Sequence, residues 1–425
     1  MTTRKRLACS QLCAGMYLVR ILDSWWSSPF FLHRRLLSSD DVQQLLQSGI
    51  QEVEIDTSKG LDAPPDVLPD EKHWPIEEAF ADHQRTERPP LYEASFNQVR
   101  PSGSPDGKGP ECEYQKQLIR LRGDTIAALE DLFDGVKTGQ AIPHALLQKT
   151  AGALVENTLA HPTMLAEVML IEHLKQFDPT LYSHVVDTAL LSILVGLQLQ
   201  WEGKQLEEIA FAALLHDVGF MRLPLNLVQA RWGTMGSDYS LLQQHVDIGV
   251  MLIDKNTTIP KEIVHIVQEH HAYLDGSGYS TVPGGKPVSD SGTLLGLTDY
   301  VDELLAVRNA SGSFPVALAI RRVYHEAQKG KFPKRFVEAM IRVLGVYPVG
   351  TVVQLSTGED AVVVKQNPEL SVRPRVKIVR ACTGEILKKP EVRNLALDSE
   401  LKYEVRITKV LDSPDPSINF REIFS

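Results

Sequence analysis

Cysteine is scarce in this chain: the four in 425 residues, Cys9, Cys13, Cys112 and Cys382, form no CxxC pair. That spacing argues against a disulfide framework and a zinc ribbon, and Cys9 and Cys13 read as reduced, structural thiols. Apolar residues nowhere run to the roughly 18 needed to span a bilayer. Arg4, Lys5 and Arg6 open the chain, but Ser10, Gln11 and Arg20 interrupt the apolar stretch behind them. A signal peptide is therefore not expected, and the chain reads as cytoplasmic. Basic residues are in deficit, 44 Lys plus Arg against 54 Asp plus Glu, for a net charge of -10. Non-specific binding to polyanionic DNA is disfavoured, so an anionic ligand must be held by local charge and metal. Core material is plentiful: 43% hydrophobic residues over 425 positions suffice for two or three domains.

Taken in order, residues 1–61 read as a small β-rich N-terminal domain. Met16 to Val19 and Gln51 to Asp56 carry strand character, the second with clear alternation. Between them Ser39 caps a helix through Asp40, Asp41, Val42, Leu45 and Leu46 that stops at Gly49. Trp25, Trp26, Phe30 and Phe31 cluster in a loop-like stretch and either pack or form a contact surface. Residues 62–111 are rich in proline, glycine and charge, which places a linker or uncovered loop, and a domain boundary, there. Across 112–139, Leu118, Leu121, Ile126, Leu129, Leu132 and Phe133 recur at helical spacing. This reads as a connecting helix, with a homodimer contact left open as an alternative. Residues 140–345 are helical by pattern, and 346–425 read as a β appendage and tail, with strands at Thr351–Leu355, Ala361–Val364 and Arg375–Val379. The fold class expected is multidomain and mainly α, a helical bundle with a small β-rich N-terminal domain and a short C-terminal β segment.

Within the helical part stand His184, His216-Asp217, His245, His270-His271 and Asp299. Imidazole and carboxylate are the side chains that bind divalent transition ions. Seven donors exceed the three or four that one catalytic ion takes from protein. Two ions sharing a bridging carboxylate, with Asp217 as the candidate bridge, is the economical reading. Such a pair suits phosphodiester cleavage, because it turns a trapped water into hydroxide near neutral pH and neutralises phosphate charge. The helix holding His184 is so densely apolar that it should be buried on most of its surface, where a histidine needs a partner. Ala210 to Leu215 should deliver His216 and Asp217 at a helix end, with Gly219 letting the chain turn. His245 is placed in a helix spanning Leu241 to Gly249, and His270-His271 at the close of the helix from Lys261. Asp299 and Asp302 are placed at the start of a helix from Leu294 to Val307, Asp299 as ligand and Asp302 as an exposed or capping carboxylate. In the loop Asp275-Gly276-Ser277-Gly278-Tyr279 the glycines mark tight turning and close approach to a ligand. The remaining histidines, among them His144, His161, His265 and His325, read as structural.

The joint pattern of His216-Asp217-Val218-Gly219, a downstream His245, His270-His271 running into Asp275-Gly276-Ser277-Gly278-Tyr279, and Asp299 resembles the HD-GYP branch of the HD metal-dependent phosphohydrolases. The resemblance covers about residues 140–345, and the β-rich unit of residues 6–58 resembles the small domain often found ahead of HD-GYP domains. It implies an HD-type helical domain that hydrolyses cyclic di-GMP to pGpG and/or GMP in bacterial signalling, by attack of a metal-bridging hydroxide on phosphorus. It further implies two divalent ions, iron or manganese, on His184, His216, Asp217, His245, His270, His271 and Asp299, with His216 and Asp217 catalytic. Arg308, Asp275, Gly276, Gly278 and Tyr279 would contact substrate, and a diguanylate cyclase or another signalling protein is the kind of partner implied, with neither DNA nor membrane. The chain departs from the family at Phe220 and Ser311, where lysines are usual, at Ser280, where proline is usual, and at Thr180, where members with a third metal place glutamate. Two ions rather than three are therefore expected. The alternative is a catalytically weak or inactive receptor for cyclic di-GMP, or a protein-interaction module.

Overall fold

The computed structural model describes residues 4–8, 12, 16–21, 35–36, 52–56 and 110–424, the last stretch without 176–179, 230–236, 256–257, 281, 283–285, 307, 310–311, 314–315, 368–369, 398–404, 412–417 and 419. Cys9, Cys13, the Trp25, Trp26, Phe30 and Phe31 cluster, the Ser39 helix, the Pro-rich stretch and Ser311 lie outside the described residues. The chain divides into two units, Met1–Trp74 with Arg222–His245, and Pro75–Met221 with Val246–Ser425.

The first unit holds an antiparallel sheet in the order β1-β4-β2-β3, from Arg4–Ala8 (β1), Tyr17–Ile21 (β2), Arg35–Leu36 (β3) and Glu52–Asp56 (β4). Val53 and Ile55 alternate onto the buried face beside Met16 and Leu18, as period-two spacing requires. The strands β1 and β3 were not expected. Arg4-Lys5-Arg6 hides β1, which is held by backbone pairing to β4 and not by an apolar pattern of its own.

The second unit is built on helices: Pro110–Lys137 (α1), His144–Ala160 (α2), Pro162–Lys175 (α3), Leu181–Gln198 (α4), Lys204–Leu215 (α5), His245–Asp254 (α6), Lys261–Glu269 (α7), Asp290–Ala306 (α8), Val316–Gln328 (α9) and Lys334–Leu344 (α10). Helix α4 is central, packed by α1, α5, α8 and α10. Thr180 starts it, its hydroxyl oxygen accepting the Ser183 N–H at 3.1 Å. From Ser183 to Gly196 every residue is buried, because apolar side chains occupy all faces. By length and composition α4 could cross a membrane, contrary to the expectation that no run would qualify, but 83% of it is buried inside the protein.

Polar contacts tie α4 to its neighbours. Arg122 on α1 makes a two-pronged ion pair with Asp187, Nε to Oδ1 at 2.7 Å and a terminal nitrogen to Oδ2 at 2.6 Å, both residues buried. Ser192 meets Thr298 of α8 at 2.7 Å. Helix α8 begins earlier than the sequence pattern suggested. Ser289 caps it, its Oγ accepting the Gly292 N–H at 3.0 Å while donating to the buried Glu269 carboxylate. Asp299 and Asp302 thus sit in its second half.

Glycine lets α8 lie against the end of α7. A Cβ at Gly296 would fall 2.2 Å from the His270 carbonyl oxygen, and one at Gly292 2.4 Å from a Glu269 oxygen. Contact at van der Waals distance is impossible for any side chain at either position.

The C-terminal sheet runs β10-β9-β8-β7-β11, all antiparallel: Val352–Leu355 (β7), Asp360–Lys365 (β8), Arg375–Arg380 (β9), Ile386–Asn394 (β10) and Ile407–Val410 (β11). The three expected strands are β7 to β9. The two edge strands were not legible, since β10 contains Lys388-Lys389-Pro390 and a register shift between Ile386 and Glu391. Gly350, at φ +90, turns the chain into the sheet.

Candidate metal centre

Six of the seven sequence-predicted donors come together as two trios, and the seventh, Asp217, lies beside the first. The Nε2 or Nδ1 and carboxylate oxygens of His184, His216 and Asp299 lie within 4.8 Å of one another, as do the ring nitrogens of His245, His270 and His271. Every one of these residues is buried. One Asp299 oxygen is 3.1 Å from His184 Nε2 and 3.6 Å from His216 Nε2, while its other oxygen is 3.6 Å from His271 Nε2. Asp299 therefore presents one oxygen to each trio. Asp217 Oδ2 lies 3.5 Å from both His184 Nε2 and His216 Nε2. The imidazoles form a continuous series, with ring centroids 5.4 Å apart for His184 and His216, 5.1 Å for His216 and His270, and 4.2 Å for His270 and His271.

Helix endings orient three of these rings. Nδ1 of His216, His245 and His270 lies 2.7, 2.7 and 2.5 Å from the carbonyl oxygens of Ala213, Leu242 and Val267, each three residues back. A carbonyl only accepts, so each Nδ1 carries the hydrogen and donates it, and Nε2 is left for the site. The carbonyls of a last helical turn have no partner within the helix, which is why a histidine just past the end is captured there. His245 opens α6 after a break at Gln244, and does not lie inside one helix from Leu241 to Gly249 as expected. The chain after Asp217 tightens into a 3-10 turn, Val218–Arg222. Gly219 is not in the left-handed region, and its nitrogen lies at ordinary contact distance, 3.4 Å, from where a Cβ on Gly249 would stand.

His184 is held by a carboxylate instead. Its Nδ1 is 2.7 Å from Asp302 Oδ2, so the assignment of Asp302 as exposed or capping is corrected: it is 3% exposed and orients a ring from another helix. The i, i+3 spacing from Asp299 puts both aspartates on one face of α8, and that spacing was the available signal. Tyr273, also missed, brings its hydroxyl to 3.4 Å from His271 Nδ1.

Charge in this pocket is tightly balanced. Burial alone would depress the His184 imidazole, yet hydrogen bonds to Asp299 and Asp302 hold it well above the usual histidine value. His216 is raised against burial by Asp217 and Asp299. Asp299 lies well below the ordinary carboxylate range: burial opposes this, and the His184, His216 and His271 imidazoles around it prevail. Even so, His216 Nε2 and Asp299 Oδ2 are buried without a hydrogen-bond partner. Buried polar atoms left so are costly, and a divalent cation is the group that imidazole nitrogen and carboxylate oxygen would satisfy together. The residues present fit such an ion.

The loop after His271 packs around that histidine. Asp275 Oδ1 accepts the Ser277 N–H at 2.9 Å and its hydroxyl at 2.7 Å, and Gly276 has φ +74. A Cβ at Gly278 would meet the His271 carbonyl oxygen at 2.1 Å, so this glycine admits the protein's own backbone and not a ligand. Tyr279 stacks on His271 at 4.5 Å and 29°. Phe220 is buried in the 3-10 turn and does not separate the donors. Arg308 begins the strand Arg308–Asn309, and its side chain lies outside the described residues. Elsewhere, His144 lies 5.4 Å from the Phe211 ring, His161 lies 4.2 Å from that of Tyr114, and His265 is exposed.

A family model described as an HD domain matches residues 167–331. A domain of unknown function matches 4–145, and a KOW domain associated with HD domain matches 352–413. A protein of Pseudomonas aeruginosa named cyclic di-GMP phosphodiesterase is 28% identical over 388 residues, covering 90% of this chain and 86% of that one. One so named from Thermotoga maritima is 26% identical over 202 residues, 47% of this chain and 54% of its own. A 3'3'-cGAMP-specific phosphodiesterase of Vibrio cholerae is 28% identical over 134 residues, 31% of this chain and 25% of its own. A solved HDG"Y"P protein from Bdellovibrio bacteriovorus has a TM-score of 0.46 at 20% identity, covering 80% of this chain and 99% of that one.

Proposed function

We propose that this chain, which carries an HD domain over residues 167–331, is a metal-dependent phosphodiesterase of the HD-GYP family that hydrolyses cyclic di-GMP to pGpG and/or GMP. The observation that carries this reading is the convergence of seven buried donors, six in two trios with Asp299 facing both and Asp217 beside the first. His184, His216 and Asp299 would hold one ion, and His245, His270 and His271 the other. Asp217, the candidate bridge, stands at equal distance from His184 and His216, and Asp299 is a second candidate for bridging by its two oxygens. When bound, two such ions, iron or manganese, would acidify a water and neutralise charge on the phosphate.

The chain's own residues supply orientation. His216, His245 and His270 keep Nε2 turned to the ions through their backbone bonds, and Asp302 does the same for His184. Thr180 is engaged as the cap of α4, which suits two ions rather than three. Arg308 is assigned to grip substrate phosphate, for which its planar fork is fitted. Burial of the trios excludes water, so charge interactions there act at low dielectric.

Purified protein loaded with Mn(II) or Fe(II) should convert cyclic di-GMP to linear pGpG or GMP, and His216→Ala with Asp217→Ala should abolish the conversion. Parallel incubation with 3'3'-cGAMP and cyclic di-AMP tests the substrate. A receptor without turnover is the second reading. It is favoured by Phe220, an apolar ring three residues after Asp217, and tight binding of cyclic di-GMP with no product would establish it.

A further inference from the structure

The half-buried lysine Lys331 is unusual for what surrounds its ammonium. Its Nζ stands 3.9 Å from the Tyr273 ring centroid, 4.3 Å from that of Tyr300 and 5.7 Å from that of Phe332. Among the described residues it makes no hydrogen bond or ion pair through that ammonium. Glu326, the nearest carboxylate in sequence, pairs with Lys329 at 3.3 Å. Three N–H donors with no acceptor would ordinarily draw a lysine out to water. The ring faces hold it instead, since they carry the negative side of the aromatic quadrupole.

The two tyrosines bear on the metal centre from different elements. Tyr300 follows Asp299 on α8, and Tyr273 follows His271 by two residues, with its hydroxyl 3.4 Å from His271 Nδ1. The His271 and Asp299 side chains meet at 3.6 Å, where the two trios join. Lys331 is tied to the same loop by its backbone, its carbonyl accepting the Leu274 N–H at 3.3 Å. Phe332 closes the cluster at 5.4 Å from Tyr273 and 5.6 Å from Tyr300, and Arg322 Nε donates to the Tyr300 hydroxyl at 3.1 Å.

We propose that Lys331 is a positioning residue of the metal centre: its ammonium, wedged between the faces of Tyr273 and Tyr300, sets the separation of His271 and Asp299 and so couples the two ion sites. The claim rests on the reading of the trios as ion sites, but not on any substrate or turnover. Burial lowers the Lys331 ammonium's proton affinity, with Glu326 and Asp275 raising it. An apolar residue of the same length would fill the space without attracting either ring.

The test is Mn(II) binding to the full chain, by calorimetry and by electron paramagnetic resonance, for the parent, Lys331→Met, Lys331→Arg, Tyr300→Leu and Tyr300→Phe. Lys331→Met should weaken one of the two ions by roughly 10–100-fold, the range found when outer-shell partners of metal ligands are removed. The resonance signature of a coupled manganese pair should give way to that of an isolated ion. Lys331→Arg should restore both, because a guanidinium stacks on the same faces, and Tyr300→Phe should be silent while Tyr300→Leu mimics Lys331→Met. If Lys331→Met misfolds, the Tyr300 pair and Lys331→Arg decide alone. Two ions bound by Lys331→Met as tightly as by the parent, with the coupled signature intact, overturn the proposal, as does failure of Lys331→Arg with a silent Tyr300→Leu. A parent that binds two coupled ions yet hydrolyses nothing leaves the wedge standing and removes only the proposed activity.

Discussion

Replacing Asp302 by asparagine tests whether a buried carboxylate on α8 sets the ligand strength of His184. The hydrogen bond is 2.7 Å long and its two side chains are 1% and 4% exposed, so water cannot substitute for it. Hydrogen bonds to charged groups contribute about 1.5–3 kcal/mol. At 1.36 kcal/mol per tenfold, losing that bond should weaken the ion held by His184, His216 and Asp299 by roughly 10–100-fold. A second effect opposes the first. Asp302 also raises the affinity of His184 for a proton, and its removal eases proton competition. The net loss should therefore be smaller at pH 7 than at pH 8, because proton competition weakens as pH rises. Calorimetric titration with Mn(II) at both pH values reads this out, with the ion on His245, His270 and His271 as the internal control. Equal affinity of parent and Asp302→Asn for the first ion at pH 8 would refute the reasoning.

Three further outcomes are expected. Gly296→Ala places a methyl 2.2 Å from the His270 carbonyl oxygen, so the end of α7 must move by about 1 Å at a cost of about 1–3 kcal/mol; thermal melting should fall and the second ion should loosen, and a parental melt would contradict the close approach. Arg122→Met leaves the Asp187 carboxylate buried without its guanidinium, which should cost about 3–5 kcal/mol in a denaturant titration; a loss under about 1 kcal/mol, the range of exposed pairs, would show that the pair is solvated. Metal loading should release protons: His184 is raised well above its usual value and His216 is raised, so protons compete with an ion for these rings and affinity should fall as pH falls. Titrations in buffers of different ionisation enthalpy count those protons, and zero release at pH 7 would sink the assignment.

The sequence made the donor series legible because each ligand was marked by its setting. His184 stood in an apolar run with no other reason for a polar ring, and His216 and His270 stood at the ends of strongly patterned helices. Asp302 was misread because the helix was expected to start at Leu294, where an early carboxylate looks like a cap or a solvated group, and its partner lies 118 residues away. The start of α8 was missed for a local reason. Ser289-Asp290-Ser291-Gly292 has the composition of a loop, and only the Ser289 cap and its bond to Glu269 make it a helix start. Lys331 could not be read at all, since a lysine beside Gly330 becomes informative only when two distant tyrosines are placed over it.

Three ligand histidines take their proton placement from main-chain carbonyls, and this has a consequence for how the protein tolerates change. A backbone acceptor survives any substitution that leaves the helix end intact. Side chains around His216, His245 and His270 can therefore change without rotating a ring or switching its tautomer. His184 and His271 lean on side chains, Asp302 and Tyr273, and it is through those two that single replacements nearby should reach the ions.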